Sequence, residues 1–413
     1  MSALLAAGLL LAAKAAAVPP APTLPATPPS AQLAALKARS IGPAVMGGRI
    51  VSIALDPEDP ATFYLGHATG GLWKTTNAGA TFSPLMKDER VFSVGAVAVA
   101  PSDPRVIWVG TGEATDRNSA GFGDGVFRST DGGATWTHAG LKPSRSIGRI
   151  RVHPKDPGVA FAAVSGDLWT KGGERGLFRT TDGGKSWAKV LSAPSPDDAD
   201  TGCVDVVLSP ADPNVVYAAL YARRRTPWSF TYGVSLTGGR DAGGIFRSAD
   251  GGATWTKLAN GLPAQTGRIG LSISASNPKV VMAVVQSDAG GTSGIDEIES
   301  RAGGVFRTED GGETWVRTSR VNPRPFYFSQ IRIDPVNDQR VYVLGYALSV
   351  SDDGGKTFRE DLFGKVHPDC HELVVAGTPA PRRPAPPKEG EPPKPERRPV
   401  SPRLLLGTDG GAY

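Results

Sequence analysis

A short acidic motif recurs along this chain and limits what the chain can fold into. The motif reads Ser/Thr-x-Asp-x-Gly-x-Thr/Ser and is followed by an aromatic residue. Clear copies begin at Ser129, Thr180, Ser248 and Thr308, and weaker copies begin at Thr75 and Ser351. A strand-like triplet after a small-residue hinge precedes each copy, as in DGVFR at 124–128. Internal similarity of this kind means that one supersecondary unit is reused along the chain.

Each repeat also contains two apolar runs joined by a turn that is rich in Pro and Asp, as in AVAVAPSDPRVIWVG at 96–110. Because Pro presets the turn and Asp side chains hydrogen-bond to turn amides, each such segment is predicted to be a β-hairpin of strands A and B. The triplet before the motif supplies strand C, and the stretch after it supplies strand D. We therefore expect an all-β fold: a β-propeller of about seven four-stranded antiparallel blades over residues 40–413.

The motif itself is predicted to be structural. Its Gly residues permit a tight turn between strands C and D, and its Asp carboxylate accepts hydrogen bonds from turn amides. Its aromatic residue supplies a large apolar plug. The same carboxylate recurs in nearly every unit, whereas a catalytic pair would not recur. The turn role is therefore assigned to Asp131, Asp182, Asp250, Asp310 and Asp353.

Three segments depart from the repeat pattern. Residues 1–17 are apolar and rich in Ala and Leu, which is typical of a cleaved signal peptide. Residues 18–39 are predicted to form a Pro/Ala-rich tether, and residues 378–402 a Pro-rich disordered insert. We accordingly expect a secreted, periplasmic or cell-surface protein.

The last blade is expected to be incomplete. Residues 404–413 align with 64–73, so by this register the chain stops on strand C of a seventh blade, before any motif copy. An unpaired strand edge invites aggregation. The sequence therefore predicts either a fragment of a longer protein or a closing strand from another segment, such as 33–45.

The net charge of +5 does not indicate a nucleic-acid partner. The Pro-rich stretch 379–402 alone carries six basic and three acidic residues, and the sequence offers no basic helix or stacking platform. After the signal peptide no segment is apolar enough to span a membrane, and we expect no cofactor. Cys203 and Cys370 lie in units three apart, which predicts free thiols.

Unequal loops indicate where a site would lie. In antiparallel blades the B–C and D–A loops share one rim. Four long B–C loops are predicted there, at 111–124, 165–175, 221–242 and 286–302. We call this rim the loop-rich face. Its candidate catalytic carboxylates are Glu113, Asp116 and Asp369. Its candidate binding residues are Arg117, Asn118, Arg224, Trp228, Tyr232, Tyr327, Gln330, His367 and His371. Such groups suit a sugar or a peptide, but they could equally pair with one another and cover the rim.

Two smaller patterns bear on chemistry. His367, Asp369 and His371 alternate, so an extended segment would place them on one side as metal ligands, as a base or as structural groups. We predict no metal site from them. Three arginines follow a Gly near the start of strand A: Arg49, Arg149 and Arg268. They could clamp a carboxylate, but because their distances to the A–B turn are unequal, they need not converge.

The motif copies, the A–B turns and the stretch GTGEATDRNSAGFGDGVFRSTDGG at 110–133 resemble the BNR/Asp-box propellers. The similarity is greatest to large secreted bacterial proteins related to the sortilin N-terminal domain. It covers about residues 40–413 and implies a propeller. Many such proteins are described as glycosyl hydrolases by analogy with sialidases and xyloglucanases, and most are longer than this chain. The sialidase signature Phe/Tyr-Arg-Ile-Pro is absent.

Three functions remain possible at this stage. The first is an exported, sortilin-like propeller that binds a glycan or an extended peptide on its loop-rich face. The second is a sialidase- or xyloglucanase-like glycoside hydrolase that acts on polysaccharide. Its carboxylates would come from Glu113, Asp116, Asp205, Glu297 and Asp369. The third is a structural assembly module. The fold cannot choose between them, because function depends on the site and not on the scaffold.

Overall fold

The computed structural model describes residues 48–87, 89, 91–193, 195, 199–241, 243–287, 302–362, 364–376 and 403–413. All of them belong to the compact unit Pro43–Tyr413. The predicted signal peptide, the tether, the Pro-rich insert and the candidate closing segment 33–45 lie outside the described residues, as does Glu297. These assignments stay predictions. None of the helices within the described ranges has the length and apolarity that a bilayer crossing requires.

Seven antiparallel sheets follow one another along the chain as the blades of a propeller, which confirms the predicted fold class. Their strands, in order from A, are Ile50–Leu55, Phe63–His67, Gly71–Thr75 and Ser83–Leu85 in blade 1; Val94–Ala100, Asp103–Thr111, Val126–Ser129 and Thr137–His138 in blade 2; Ile147–Val152, Ala160–Val164, Gly176–Thr180 and Ala188–Leu191 in blade 3; Thr201–Leu208, Val216–Arg225, Gly243–Ser248 and Thr256–Leu258 in blade 4; Ile269–Ile273, Val281–Val285, Gly304–Thr308 and Val316–Ser319 in blade 5; Gln330–Ile333, Val341–Leu344, Leu348–Ser351 and Arg359–Asp361 in blade 6; and Cys370–Ala376, Arg403–Thr408 and Gly411–Ala412 in blade 7.

The blades pack face to face, so both faces of their middle strands are buried. In Ala160–Val164 every residue is buried. Alternate residues of this strand enter two different apolar clusters: Ala162 joins the cluster that contains Trp108 of blade 2, and Phe161 joins the one that contains Phe246 of blade 4. Successive side chains of a strand point to opposite faces, so a strand that is buried on both faces places alternate residues in different clusters. The continuous apolar runs of the sequence thus follow from the blade stacking.

The acidic motif forms the C–D turn, as predicted. In blade 2 the Asp131 carboxylate accepts hydrogen bonds from Ser129 Oγ at 2.7 Å and from the Thr135 amide at 2.9 Å. Hydrogen bonds from Thr135 and Ser129 lower the pKa of Asp131 to about 2. Gly133 has a φ of 93°, a value that favours glycine. The same contacts recur around Asp182, Asp250, Asp310 and Asp353.

Blade 7 packs against blade 1 and closes the ring. Leu405 of blade 7 shares an apolar cluster with Ile50, Ile53 and Phe63 of blade 1. The blades approach so closely that a Cβ added to Gly407 would lie 2.7 Å from Ile50 Cγ2. Within the described ranges this blade has three strands, which agrees with the expectation of an incomplete last blade.

Blade 4 differs from the loop predicted at 221–242. Its second strand continues to Arg225 and pairs with a short strand, Phe230–Tyr232, that adds a hairpin above the rim. A short helix, Gly233–Thr237, follows. The extension exists because its alternate side chains Tyr221 and Arg223 are buried against a neighbouring loop. A 3-10 turn at Lys142–Ser144 is the other non-strand element that the described residues contain.

Candidate ligand-binding face

The loop-rich face is built on buried ion pairs. Glu113, in the B–C loop of blade 2, accepts two hydrogen bonds from Arg49, one of them at 2.8 Å between Arg49 Nη2 and Glu113 Oε2, and a third from Thr115. The Glu113 side chain is fully buried. Its carboxylate therefore fixes the blade 2 loop to blade 1 and is shielded from any ligand.

The Asp116 carboxylate is also held by buried hydrogen bonds and ion pairs. Its carboxylate accepts hydrogen bonds from Arg223 and from the Tyr221 hydroxyl, and Arg268 Nη1 lies 3.6 Å away. Arg225 Nε donates to the Asp116 carbonyl at 2.8 Å. Asp116 is completely buried. These contacts hold the loop of blade 2 against blades 4 and 5. Asp116 is therefore a structural hub: one buried carboxylate beneath the loop-rich face that joins three blades.

The three strand-A arginines pair with separate acceptors. Arg49 pairs with Glu113, and Arg268 donates to the Ala114 carbonyl at 2.6 Å. Arg149 lies deeper in the central channel, where it pairs with Asp205 and Glu372. Each guanidinium thus has its own acceptors, and together they do not form a clamp for a carboxylate ligand.

Tyr327 is the centre of a second cluster, which we call the Tyr327 cluster: Arg49, Arg117, Tyr327, His371 and Asp409. The guanidinium of Arg117 lies 4.8 Å from the centre of the Tyr327 ring, and the His371 ring lies 4.7 Å from it. The Tyr327 hydroxyl is 3.4 Å from both carboxylate oxygens of Asp409. The cluster thus brings together side chains from blades 1, 2 and 7 and from the loop between blades 5 and 6, near the centre of the propeller.

Asp409 is the carboxylate of this cluster that solvent reaches, since 30% of its side chain is exposed. His371 Nε2 lies 2.7 Å from Asp409 Oδ1. Burial opposes ionisation of Asp409, but the hydrogen bond from His371 and the positive charge of Arg49 hold its pKa below the ordinary value. Burial also raises the pKa of Tyr327, which keeps the phenol neutral. Asp409 is therefore a charged acceptor at neutral pH, suited to binding hydroxyl groups or acting as a base.

The expected alignment of His367, Asp369 and His371 is wrong. Asp369 adopts a φ of 68°, which breaks the extended segment, and strand A of blade 7 begins only at Cys370. His371 is buried beside Tyr327, whereas His367 is exposed. Within the described ranges, no group of three His, Cys, Asp or Glu side chains is arranged to hold a metal ion.

Three strongly exposed aromatic side chains lie on the loop-rich face: Phe92 at 64%, Phe122 at 69% and Trp228 at 93%. Phe92 and Phe122 lie in neighbouring segments, since Ser93 Oγ donates to the Gly121 carbonyl at 3.0 Å. The Arg145 guanidinium lies 5.3 Å from the Phe122 ring. Trp228 stands on a tight turn in which the Thr226 amide donates to the Ser229 carbonyl at 2.9 Å. These rings are presented to solvent rather than packed.

The other predicted binding residues have mixed surroundings. Arg224 pairs with Asp200, and Tyr232 stacks on Phe230 with 5.8 Å between ring centres. Gln330 accepts a hydrogen bond from Arg149 at 2.9 Å, within the channel. Asn118 is exposed beside Arg117. Of these side chains, Asn118 and Arg117 are the best placed to meet a ligand.

Sequence reasoning missed Asp409, Phe92 and Phe122. Asp409 lies in the sequence Thr-Asp-Gly-Gly, which resembles the structural motif, although in blade 7 it falls in the B–C loop. The sequence offered one sign of a separate role. Asp409 aligns with Thr69 of blade 1, so its carboxylate is not part of the repeat. The phenylalanines carry no such signal, since their exposure depends on neighbouring loops.

No protein-family model matches the chain. Among curated proteins, it is 28% identical over 235 residues to the xyloglucanase Xgh74A of Acetivibrio thermocellus, a match that covers 52% of this chain and 26% of that enzyme. A probable oligoxyloglucan-reducing end-specific xyloglucanase of Neosartorya fischeri is 26% identical over 308 residues, which is 66% of this chain and 34% of that protein. The chain thus spans about a quarter to a third of the length of these relatives.

Solved structures agree on the fold. A GH74 enzyme of Niastella koreensis matches with a TM-score of 0.55 and 20% identity, over 79% of this chain and 49% of its own. YCF48 from Cyanidioschyzon merolae matches with a TM-score of 0.52 and 18% identity, over 90% of this chain and 95% of its own. The chain is therefore a seven-bladed β-propeller similar to xyloglucanases, and at these identities the structural likeness concerns the fold.

Proposed function

We propose that the chain binds a polysaccharide across its loop-rich face, in the manner of a glycan-binding propeller. The observation that carries this proposal is the presentation of Phe92, Phe122 and Trp228 to solvent on that one rim. Exposed apolar side chains that lie together on one surface mark binding sites, and Phe92 and Phe122 lie in neighbouring segments of this rim. Flat rings stack on the apolar faces of sugars, while nearby donors and acceptors bind the hydroxyl groups.

Polar groups beside these rings suit hydroxyl-rich ligands. Arg117 and Asn118 lie on the blade 2 loop, and Asp409 adds an exposed acceptor near the ring centre. The channel mouth below them holds a cavity of only about 20 Å³, lined by residues that include Tyr327 and His371. This is room for about one water molecule, so a ligand would lie across the face instead of entering the channel.

The names of the relatives favour a glycan over a peptide. The curated proteins most often matched are xyloglucanases, which makes xyloglucan the first polysaccharide to test. A structure of YCF48 bound to D1 peptide also matches, with a TM-score of 0.50 and 16% identity, and it supplies the competing ligand class. We therefore propose affinity gel electrophoresis on xyloglucan, with an extended peptide as the comparison. Retardation by xyloglucan supports the proposal, and binding of the peptide alone would overturn it.

Hydrolysis is the second candidate, and Asp409 is the observation that favours it. Glu113 and Asp116 are sequestered in ion pairs, which argues against them as catalytic carboxylates. Asp409 keeps its charge and is partly open to solvent. If this chain contributes a base, Asp409→Asn should abolish release of reducing ends from xyloglucan, although xyloglucan should still retard the variant in the gel. Unchanged release in that variant would exclude Asp409, and no release by the parent protein would leave binding as the function of the face.

A further inference from the structure

A second cavity lies at the opposite end of the central channel, on the rim that carries the acidic motifs. Its volume is about 400 Å³, within the range of small-molecule sites. The C-terminal halves of six inner strands line it. Aliphatic residues line part of its wall, among them Leu55, Val99, Ile150, Ile273, Ile333 and Val374, and charged side chains line another part. Nothing in the proposed glycan site uses this cavity.

A buried ion network forms the floor of the cavity and separates it from the loop-rich face. Arg149 Nη1 lies 2.8 Å from Glu372 Oε2, and Arg149 Nε lies 3.2 Å from Asp205 Oδ1. The second oxygen of Glu372 pairs with Arg332. The second oxygen of Asp205 accepts the Leu271 amide at 2.9 Å. Both carboxylates of the floor are thereby fully engaged.

Arg151 is a third guanidinium at the same place. It follows Arg149 by two residues on strand A of blade 3, so both side chains leave the same side of that strand. It lines the cavity, and in the described part of the chain no hydrogen bond or ion pair to Arg151 is found. Burial and the charge of Arg149 lower the pKa of Arg151 to about 10, which leaves it protonated at neutral pH.

Charge and shape together define a ligand class. Three guanidiniums face two carboxylates here, so one positive charge is uncompensated in a cavity whose wall is partly aliphatic. We propose that this cavity binds a monocarboxylate with an apolar body, whose carboxylate pairs with Arg151 while its hydrocarbon part packs on the aliphatic wall. Guanidinium and carboxylate match in geometry, and the half-buried, unpaired Arg151 favours a counter-ion. A phosphate or a polyanion fits less well, since it brings excess charge and no apolar surface.

The test is isothermal titration of the whole chain with octanoate, with 1-octanol as the neutral analogue and acetate as the carboxylate without an apolar body. Octanoate should bind at one saturable site, and each of the other two at least about tenfold more weakly. A short peptide that ends in leucine has the same chemistry at its C-terminus. Tighter binding of this peptide than of octanoate would assign the natural source to a polypeptide end.

Variants separate the charge from the cavity. Arg151→Gln should weaken octanoate binding by at least about tenfold, whereas Lys279→Gln, which removes an exposed charge on the same rim, should leave it within about twofold. Arg151→Lys retains the charge and should retain most of the affinity. Arg151→Gln should also melt no lower than the parent protein, because it removes an unpaired charge. Absence of saturable octanoate binding, equal binding of octanol, or unchanged affinity in Arg151→Gln would overturn the proposal.

Discussion

Arg49 and Glu113 form a two-point ion pair between blades 1 and 2, with Nη2 and Oε2 2.8 Å apart. The Glu113 side chain is fully buried and that of Arg49 is 13% exposed, so neither charge is well solvated if the other is removed. Breaking a buried pair costs about 3–5 kcal/mol, and a Gln retains part of the hydrogen bonding. We expect Glu113→Gln to lower the free energy of unfolding in urea by at least about 2 kcal/mol. Glu309→Gln, at the exposed end of a pair with Arg307, should cost under about 1 kcal/mol, and equal losses would contradict the structural role.

Asp116 joins three blades, and its loss should cost more than the loss of one of its donors. Asp116→Asn would leave Arg223 and Arg268 without their counter-charge, which predicts a loss of about 3–5 kcal/mol. Tyr221→Phe removes a single hydrogen bond to Asp116 and should cost about 1–2 kcal/mol. Urea unfolding of both variants measures the difference. If Asp116→Asn costs no more than Tyr221→Phe, the carboxylate is not the hub that the contacts indicate.

Glu372 should make stability fall in acid. Burial opposes its ionisation, but Arg149 and Arg332 overcome this effect and lower the pKa of Glu372 from 4.5 to about 2. Because the folded pKa lies below the unfolded one, the stabilisation is present above pH 5 or so and is lost as the pH falls towards 2. It amounts to about 3 kcal/mol. The stability gap between the parent and Glu372→Gln should therefore shrink by about 2 kcal/mol between pH 6 and pH 3. A gap that does not change with pH would contradict this account.

Ring closure depends on the absence of a side chain at Gly407. A Cβ there would lie 2.7 Å from Ile50 Cγ2 and 2.9 Å from the Ile50 carbonyl oxygen, so blades 1 and 7 would have to separate. We expect Gly407→Ala to lower the thermal midpoint, in line with a cost of about 1–3 kcal/mol for overpacking. Gly158→Ala, where the nearest atom is the Asp156 side-chain oxygen at 3.2 Å, serves as the control. Equal midpoints for the two variants would mean that the ring does not close as described.

The fold could be predicted because it is encoded locally and repeatedly. The motif copies specify C–D turns, and the apolar runs specify strands buried on both faces, so one unit determines all seven. The structure of one segment, however, differed from its prediction. The 221–242 stretch was expected to be a loop, but Tyr221 and Arg223 extend the strand because Asp116, more than 100 residues away, binds both side chains. Contacts between residues so far apart in the sequence produce no periodic pattern from which they could be predicted.

The candidate site was predictable as a face but not in detail. The choice of rim followed from antiparallel topology, and the exposed Trp228 lies in the hairpin that extends the second strand of blade 4. Tyr327 was expected to be a binding residue, but its ring is buried among two arginines, His371 and neighbouring aromatic rings. Whether a side chain is exposed or buried at a loop junction depends on contacts between distant blades. The sequence alone therefore could not separate Trp228 from Tyr327.

Exposed rings of the loop-rich face are proposed to bind a polysaccharide, and titration of the protein with xyloglucan measures this binding. Stacking on one aromatic ring contributes about 1 kcal/mol, so Trp228→Ala and Phe122→Ala should each weaken xyloglucan binding by about five- to tenfold. Phe82→Ala removes a 36% exposed ring from the opposite rim and should leave the affinity within about twofold, with thermal unfolding to verify that each variant folds. Equal affinities in all three variants and the parent, or no measurable binding by the parent, would contradict the account.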